Sequence, residues 1–302
     1  MRKFLMRIQR KVRLNNQYSA NGWNFEKTTK YIFEYGENFL EAGYFEHYLN
    51  GKYVKTVIEL PVSYGCLVHC KFCASAFIDG FERLKAEQLK DMLDVILADN
   101  KLSKNSDVLL SMTGIGDIYY NYENVHVFFE KIRGYPNINI TLSSCLWDKD
   151  ILRKVSSDFD TQRVRTVQIT YISDNQETLQ NIIPLCSEKK LNFNDIIKGI
   201  LESAQTYYRI NYVMIKGVND SEEDFRRFRD NVERIKDKVI IRITKLNETC
   251  ATKKFGLKST EKSIMNRFEN LLKQSGIRCY QFWSEKNDNM NCGQLITEKN
   301  AI

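Results

Sequence analysis

Two hydrophobic patterns divide the chain. Over residues 28–62 the apolar residues fall in short runs separated by turn signals at 35–38 and 49–52, which predicts a series of short strands. Asn50-Gly51 is typical of a hairpin turn, because both residues tolerate a positive φ. A further strand is predicted over 56–62, and it leads into a loop rich in cysteine.

Beyond this loop, apolar strands alternate with amphipathic helices. The first helix is predicted over 85–99, with Leu89, Met92, Leu93 and Ile96 on one face. Further helices are predicted over 124–132, 149–155, 177–185, 194–207, 221–235 and 259–274. The strands between them are predicted over 108–112, 138–142, 164–172, 209–215, 239–244 and 277–283.

These segments make about six β–α units in series. Their strands are apolar on both faces, which is typical of a parallel sheet covered by helices. Six units are fewer than a closed barrel of eight requires, so the predicted fold is α/β, a partial, open (β/α)6 barrel with an N-terminal β extension. The predicted divisions are a basic arm over 1–27, the β extension over 28–55, the barrel over 56–283 and a C-terminal segment over 284–302.

Composition places the chain among ordinary globular proteins. Of its 302 residues 43% are hydrophobic and 27% are charged, and no apolar run approaches the about 18 residues of a membrane span. The start of the chain lacks the continuous apolar stretch of a signal peptide. We therefore expect a cytoplasmic protein whose eight cysteines are thiols, metal ligands or catalytic groups rather than disulfides.

The net charge of +7 permits a polyanionic partner but does not require one. Six cations are concentrated in the first thirteen residues: Arg2, Lys3, Arg7, Arg10, Lys11 and Arg13. Two interpretations stay open for this arm. It is either a solvated terminal arm or helix, or a segment that contacts phosphate groups.

The most specific motif is a loop with the pattern C-x3-C-x2-C, formed by Cys66, Cys70 and Cys73. Three thiolates on one short loop can hold three irons of a [4Fe–4S] cluster and leave the fourth iron open to a small molecule. The loop follows the first barrel strand, at the end where α/β barrels place their chemistry. Phe72, directly before the last cysteine, can shield such a cluster from water.

Two other interpretations of this loop stay open. The cysteines could be buried thiols without a metal. They could also bind structural zinc, although zinc usually takes four protein ligands in two pairs, and the fourth ligand would have to be His69 or a distant cysteine.

The C-x3-C-x2-C loop is the signature of radical S-adenosylmethionine (SAM) enzymes, and further motifs resemble one family of them. Residues 114–117 read Gly-Ile-Gly-Asp where that family has Gly-Met-Gly-Glu, and residues 141–144 read Thr-Leu-Ser-Ser against Thr-Leu-Ser-Thr. Residues 211–214 read Asn-Tyr-Val-Met against Glu-Tyr-Val-Met, and residues 292–295 read Cys-Gly-Gln-Leu, as in the family. In this order, over about residues 28–297, the motifs resemble the RlmN/Cfr family of RNA adenine methyltransferases.

The resemblance implies a radical SAM barrel and two cofactors. The three cysteines of the loop would hold a [4Fe–4S] cluster, and SAM would chelate its open iron and be split to a 5′-deoxyadenosyl radical. SAM contacts are implied for five residues: Gly116, Asp117, Ser143, Thr170 and Asn247. From the residues alone, the two hydroxyls could equally be satisfied groups at strand ends and Asn247 a turn residue.

The resemblance also implies the reaction. Cys292 corresponds to the cysteine that one SAM methylates and that then carries a methylene radical to carbon C2 or C8 of an adenine in RNA. Glu41 corresponds to the family's candidate proton acceptor. Two other interpretations remain for these residues, since Glu41 could be a solvent-facing strand carboxylate and Cys292 an ordinary buried thiol.

The chain departs from the family in four places. Glu59 stands seven residues before the cluster loop, where the family has its second essential cysteine, and a carboxylate cannot form the disulfide that releases product. The family's Arg-Gly and small apolar run are absent from 284–291, and the histidine of its Ser-Leu-His-Ala is Ile172. Glu41 also lies so near the start that we expect no separate N-terminal RNA-contacting domain ahead of it.

The implied partners are RNA, either ribosomal or transfer RNA, and an electron donor such as a flavodoxin or ferredoxin. No membrane partner is expected. Two other functions stay open: radical SAM chemistry on a non-ribosomal or non-RNA substrate such as a peptide, and a non-catalytic RNA- or protein-binding module with a structural metal. Peptide-modifying enzymes usually carry a cysteine-rich C-terminal extension, and Cys250, Cys279 and Cys292 are too scattered for one.

Overall fold

The architecture comes from a computed structural model that describes residues 6–18, 23–160, 162–186, 191–205 and 207–282. These residues form two compact units. The first contains the described residues up to 67 together with 74–142, and the second contains 68–73 and the described residues from 143 to 282.

The first unit is built on a sheet that begins antiparallel and continues parallel. Its antiparallel part pairs, in sequence order, the strands β1 (Ile8–Tyr18), β2 (Trp23–Tyr35), β3 (Asn38–Leu49) and β4 (Lys52–Glu59). After a short antiparallel pair, β5 (Ser63–Tyr64) with β6 (Glu82–Arg83), the parallel part adds β7 (Val108–Met112) and β8 (Ile138–Ser144). β4 joins the two parts, because it is antiparallel to β3 and parallel to β7.

Two helices cover this sheet, α1 (Ala86–Asp99) and α2 (Tyr122–Lys131). The apolar face predicted for the first helix is confirmed, since Leu89, Met92, Leu93 and Ile96 are all fully buried. Burial of that face, at about 25 cal/mol for each Å² of apolar surface, attaches the helix to the strands.

The N-terminal arm is a strand in its described part, rather than a solvated arm or a helix. It forms β1, which pairs with β2 along most of its length. Lys11 makes an ion pair of 2.6 Å with Asp99 at the end of α1, and the Tyr31 hydroxyl donates to the same carboxylate at 2.7 Å. At least one of the N-terminal cations therefore attaches the strand to the first unit.

The second unit contains four parallel strands that neighbour each other in sequence order: β9 (Val164–Tyr171), β10 (Tyr208–Met214), β11 (Val239–Lys245) and β12 (Cys279–Phe282). Its helices are α3 (Lys149–Asp158), α4 (Gln176–Ile182), α5 (Phe193–Glu202), α6 (Glu222–Glu233), α7 (Cys250–Lys254) and α8 (Lys262–Gln274).

One face of these four strands packs against an aromatic core. Tyr171 and Tyr212 lie with ring centroids 4.6 and 4.9 Å from Phe228 of α6, and Tyr212 lies 4.8 Å from Phe268 of α8. Because side chains alternate along a strand, the residues one position before these tyrosines, including Thr170, lie on the opposite face. That opposite face carries Thr170 and Asn211, which are aligned with each other.

The predicted alternation of strands and helices is confirmed, and the differences beyond the cysteine loop are element ends and one short helix. In the β extension the strands are longer than predicted, since β2 and β3 have 13 and 12 residues. The helix predicted over 259–274 begins at Lys262, because Ser259 forms a β-bridge with Ile215 instead. The helix predicted over 194–207 ends at Glu202, where the next residue is extended. The five-residue helix α7 was not predicted, since it is too short to show a periodic pattern. Within the described part of the chain, none of the helices has the length and apolarity that crossing a bilayer requires.

Candidate functional site

The loop after β7 is bonded to the segment that leads into the cysteine loop. Gly114 donates its N–H to the carbonyl of Leu60 at 3.2 Å, and Val62 donates to the carbonyl of Ile115 at 2.8 Å. A Cβ at Gly114 would lie 2.7 Å from the Leu60 oxygen, so only glycine allows this approach. The Gly-Ile-Gly-Asp string thus supports the backbone from which the cysteine loop begins.

Gly116 and Asp117 complete this loop. Gly116 has a φ of +97°, and a Cβ on it would overlap the hydroxyl of Ser63. Asp117 is 7% exposed, and its carboxylate accepts from the N–H of Tyr119 at 2.9 Å, which caps a 3-10 helix over Ile118–Asn121. The carboxylate therefore has a local structural role, and its predicted contact with SAM stays a prediction.

The three cysteines of the predicted cluster loop are divided between the units. Cys66 lies in the first unit, whereas Cys70 and Cys73 lie in the second, where the Cys73 N–H donates to the Cys70 carbonyl at 3.0 Å. None of the three forms a disulfide; Cys70 is buried and the other two are partly buried.

The donor set fits an iron–sulfur cluster in chemistry and spacing, since such clusters take cysteine thiolates. Among the described residues, no three histidine, cysteine, aspartate or glutamate side chains already converge as a metal-binding group. His69, the nearest candidate for a fourth zinc ligand, is exposed.

The second half of the cysteine loop is anchored within the second unit. The Lys71 N–H donates to the carbonyl of Ile182 at 3.0 Å, at the end of α4. The Thr249 hydroxyl, which also caps α7, donates to the carbonyl of Phe72 at 3.1 Å. These bonds fix the backbone on both sides of Phe72, which is the residue predicted to shield the cluster.

Sequence reasoning missed a fourth thiol beside this loop. The sulfur of Cys145 lies 3.9 Å from the sulfur of Cys70, within hydrogen-bond range for two thiols. Cys145 directly follows β8, so the rule that barrel chemistry lies at the carboxyl ends of strands was the signal that could have found it.

The three SAM-contact candidates of the second unit lie at or just beyond strand ends, as predicted. Ser143 lies at the end of β8, and its hydroxyl accepts from the side-chain amide of Gln168 at 3.0 Å. Thr170 lies near the end of β9 and is aligned with Asn211 of β10. Asn247 follows β11 and is partly buried. A contact with SAM stays a prediction for all three.

Asn211, where the resembling family has a glutamate, accepts two hydrogen bonds on the face of β10 that is opposite the aromatic core. Its side-chain oxygen accepts from the Arg242 guanidinium at 3.0 Å and from the Thr244 hydroxyl at 2.5 Å. An amide satisfies both donors but carries no charge, so this position does not neutralise the arginine.

Glu41 is buried, so the interpretation as a solvent-facing carboxylate is wrong. Its side chain is 0% exposed and lies 2.7 Å from the Lys30 ammonium, which is 10% exposed. Both residues lie in the antiparallel part of the first sheet, on β2 and β3. The carboxylate is thus held in a buried ion pair, and its role as a proton acceptor stays a prediction.

Glu59, at the position of the family's second cysteine, is the last residue of β4. It is aligned with Gly43 on one side and with Ser111 on the other. The Thr113 hydroxyl donates to its carboxylate at 2.7 Å and is itself 2.9 Å from the Ser111 hydroxyl. The carboxylate of Glu59 therefore lies beside hydroxyl groups at a strand end.

Cys292 and the rest of segment 284–302 lie outside the described residues.

Comparison with known proteins identifies the relatives of this chain. It is 28% identical over 215 residues to the "Probable dual-specificity RNA methyltransferase RlmN" of Clostridium novyi, covering 67% of this chain and 57% of that protein. It is 27% identical over 279 residues to the protein of the same name from Clostridium botulinum, covering 89% of this chain and 75% of that protein. The resemblance to the RlmN family is confirmed. No protein-family model matches the sequence.

Comparison with solved structures tests the predicted fold. A crystal structure of a radical SAM methyltransferase from Sphaerobacter thermophilus matches with a TM-score of 0.75 and 19% identity, covering 96% of this chain and 81% of that one. At this identity the likeness establishes the fold. It confirms the predicted α/β class, a partial radical SAM barrel with an N-terminal β extension. The chain spans just over half of the first RlmN relative and three quarters of the second.

Proposed function

We propose that this chain is a radical SAM enzyme that methylates RNA. The observation that carries the proposal is the match to RlmN methyltransferases over up to nine tenths of the chain, combined with the C-x3-C-x2-C loop after the first parallel strand. The substrate class is taken from those relatives, and the target by resemblance is carbon C2 or C8 of an adenine in ribosomal or transfer RNA.

Cys66, Cys70 and Cys73 would hold a [4Fe–4S] cluster. When bound, the cluster supplies the electron that splits SAM to a 5′-deoxyadenosyl radical. The chain's own contribution is positional. The bonds from Ile182 and Thr249 fix the backbone between the last two cysteines, and the glycine loop supports the approach to the first.

Gly116, Asp117, Ser143, Thr170 and Asn247 would bind SAM. Asp117 is one methylene shorter than the family's glutamate, and its capping bond to Tyr119 already orients the carboxylate. A buried carboxylate of this kind suits the SAM ammonium, since a charge-assisted hydrogen bond is worth about 1.5–3 kcal/mol. An external electron donor, a flavodoxin or ferredoxin by class, would reduce the cluster.

Cys292 would carry the methyl group. The Cys292 thiolate would attack the methyl carbon of SAM, with S-adenosylhomocysteine as the leaving group, and a carbon radical next to sulfur can then reach a ring carbon that no cationic donor alkylates. Glu41 would accept the proton that the ring carbon loses. Glu59 cannot serve as the resolving thiol of the family, so release of the RNA is the step at which this chain differs.

The first experiment tests the cluster and the radical chemistry. Anaerobically purified protein should contain the iron of one [4Fe–4S] cluster per chain and, after reduction, should release 5′-deoxyadenosine from SAM. Alanine at Cys66, Cys70 or Cys73 should abolish both, whereas Cys250→Ala, at an exposed cysteine, is the matched control and should abolish neither. Stoichiometric zinc without deoxyadenosine would contradict the proposal.

The second experiment tests the methyl carrier. Mass spectrometry after incubation with SAM should find Cys292 heavier by one methylene group, and Cys292→Ala should abolish methylation of RNA. Because Glu59 is no thiol, the wild-type enzyme should accumulate a covalent protein–RNA species, and Glu59→Cys should reduce it. An unmodified Cys292 during turnover would refute the carrier role.

A further inference from the structure

Cys145 and Cys70 form a thiol pair that the proposed reaction does not use. Their sulfurs are 3.9 Å apart although 75 positions separate them in the sequence, and both residues belong to the second unit. Cys70 is 8% exposed and Cys145 is partly buried. The contact is therefore largely shielded from water.

The backbone on each side of the pair is fixed. After Cys145, the Leu146 N–H donates to the Ser144 hydroxyl at 2.8 Å, and the indole of the fully buried Trp147 donates to the carbonyl of Gln168 at 2.7 Å. Beside Cys70, the neighbouring residue Lys71 donates to α4 through its N–H. These hydrogen bonds fix the position of the Cys145 thiol relative to Cys70.

The direction of the hydrogen bond follows from the state of Cys70. Between two thiols either sulfur can donate, but a cysteine that binds iron does so as a thiolate and has no proton left to give. Cys145 is then the donor and Cys70 the acceptor. Without the cluster either sulfur can donate this hydrogen bond, and with the cluster only Cys145 can.

We infer that the Cys145 thiol donates a hydrogen bond to the sulfur of Cys70 and thereby raises the reduction potential of the cluster. This inference rests on the proposed function, because it requires the [4Fe–4S] cluster. Reduction adds negative charge that is shared with the ligand sulfurs, and the positive end of an S–H group stabilises that charge. Hydrogen bonds to the sulfurs are among the factors that set the potentials of such clusters.

Cys145 acts here as a positioning residue, not as a ligand. The C-x3-C-x2-C loop already supplies three thiolates, and an open iron for SAM needs no fourth protein ligand. The residue makes the cluster easier to reduce for a given electron donor. Its loss should therefore change the cluster potential more than it changes cluster assembly.

The test compares three variants by an anaerobic redox titration followed by electron paramagnetic resonance. Cys145→Ala removes the donor, and Cys145→Ser retains one. Cys279→Ala is the matched control, because the Cys279 thiol lies in the same unit and donates to a carbonyl, that of Glu269 at 3.6 Å, instead of to the cluster loop. Iron content is measured for each protein.

At the midpoint potential of the wild type, Cys145→Ala should lower the ratio of reduced to oxidised cluster by about two- to tenfold, where tenfold corresponds to a shift of 59 mV for one electron. Cys145→Ser should restore part of this loss, and Cys279→Ala should show none. Equal midpoints for Cys145→Ala and Cys279→Ala would overturn the inference and leave the proposed function standing. If Cys145→Ala lost its iron and the other two variants kept theirs, Cys145 would be a ligand of the cluster, and the inference would be overturned too. Absence of a cluster from the wild type would instead overturn the proposed function.

Discussion

The buried ion pair between Lys30 and Glu41 allows a prediction about its contribution to the stability of the fold. The two charged groups are 2.7 Å apart, and the side chains are 10% and 0% exposed. Replacing Glu41 by Gln keeps the shape and a hydrogen-bond acceptor but removes the negative charge. The ammonium of Lys30 then remains in the interior of the first unit without its compensating charge.

The expected cost of Glu41→Gln is about 3–5 kcal/mol in the free energy of unfolding, which is the usual result of breaking a buried pair by removing one partner. At about 1.6 °C for each kcal/mol in a chain of this length, the unfolding temperature should fall by at least about 5 °C. The double substitution Lys30→Met with Glu41→Leu should recover most of this loss, because two apolar side chains leave no buried charge.

The assay is thermal unfolding followed by circular dichroism on the wild type, each single variant and the double variant, at one protein concentration and without SAM. Lys27→Met is a matched control, since the Lys27–Glu46 pair is 3.1 Å long but its lysine is 70% exposed, and such pairs contribute about 0–1 kcal/mol. If Glu41→Gln unfolds within a degree of the wild type, or if the double variant is the sum of the singles, the pair is not an energetic unit and the reasoning is wrong.

Two further predictions concern the loop after β7 and the cysteines. Gly116→Ala should destabilise the protein by about 1–3 kcal/mol and weaken SAM binding, because φ is +97° and the new Cβ would overlap Ser63; an unchanged unfolding temperature and SAM affinity would show that the loop adapts. In the native protein at pH 8, a thiol reagent should modify the exposed Cys250 rapidly and Cys279 slowly. Burial, assisted by Glu269, raises the pKa of Cys279 to about 11, so its reactive thiolate is scarce until the pH approaches that value; equal rates would contradict this.

The local pattern of the sequence was enough to predict the order and type of most elements beyond the cysteine loop. Apolar runs of five to eight residues alternate with segments of helical period, and this local pattern was enough to predict β7, α1 and the series of parallel strands. Local chemistry also accounts for the start of the helix predicted over 221–235, where the Asp224 N–H donates to the Ser221 hydroxyl at 3.1 Å. The spacing of Cys66, Cys70 and Cys73 predicted the cofactor type, because ligands on one short loop are a local property of the chain.

Which groups are buried and which distant groups meet depends on three-dimensional packing. Whether Glu41 faces solvent depends on the layer that covers its strand, and the alternation of a strand does not say which face is covered. The basic N-terminal segment became β1 because β2 offers backbone partners, which no feature of the arm itself reveals. Cys145 reaches Cys70 across 75 positions because the turn after β8 and the cysteine loop are each fixed by their own neighbours. Such contacts follow from packing between segments, and that information is absent from any local window of the sequence.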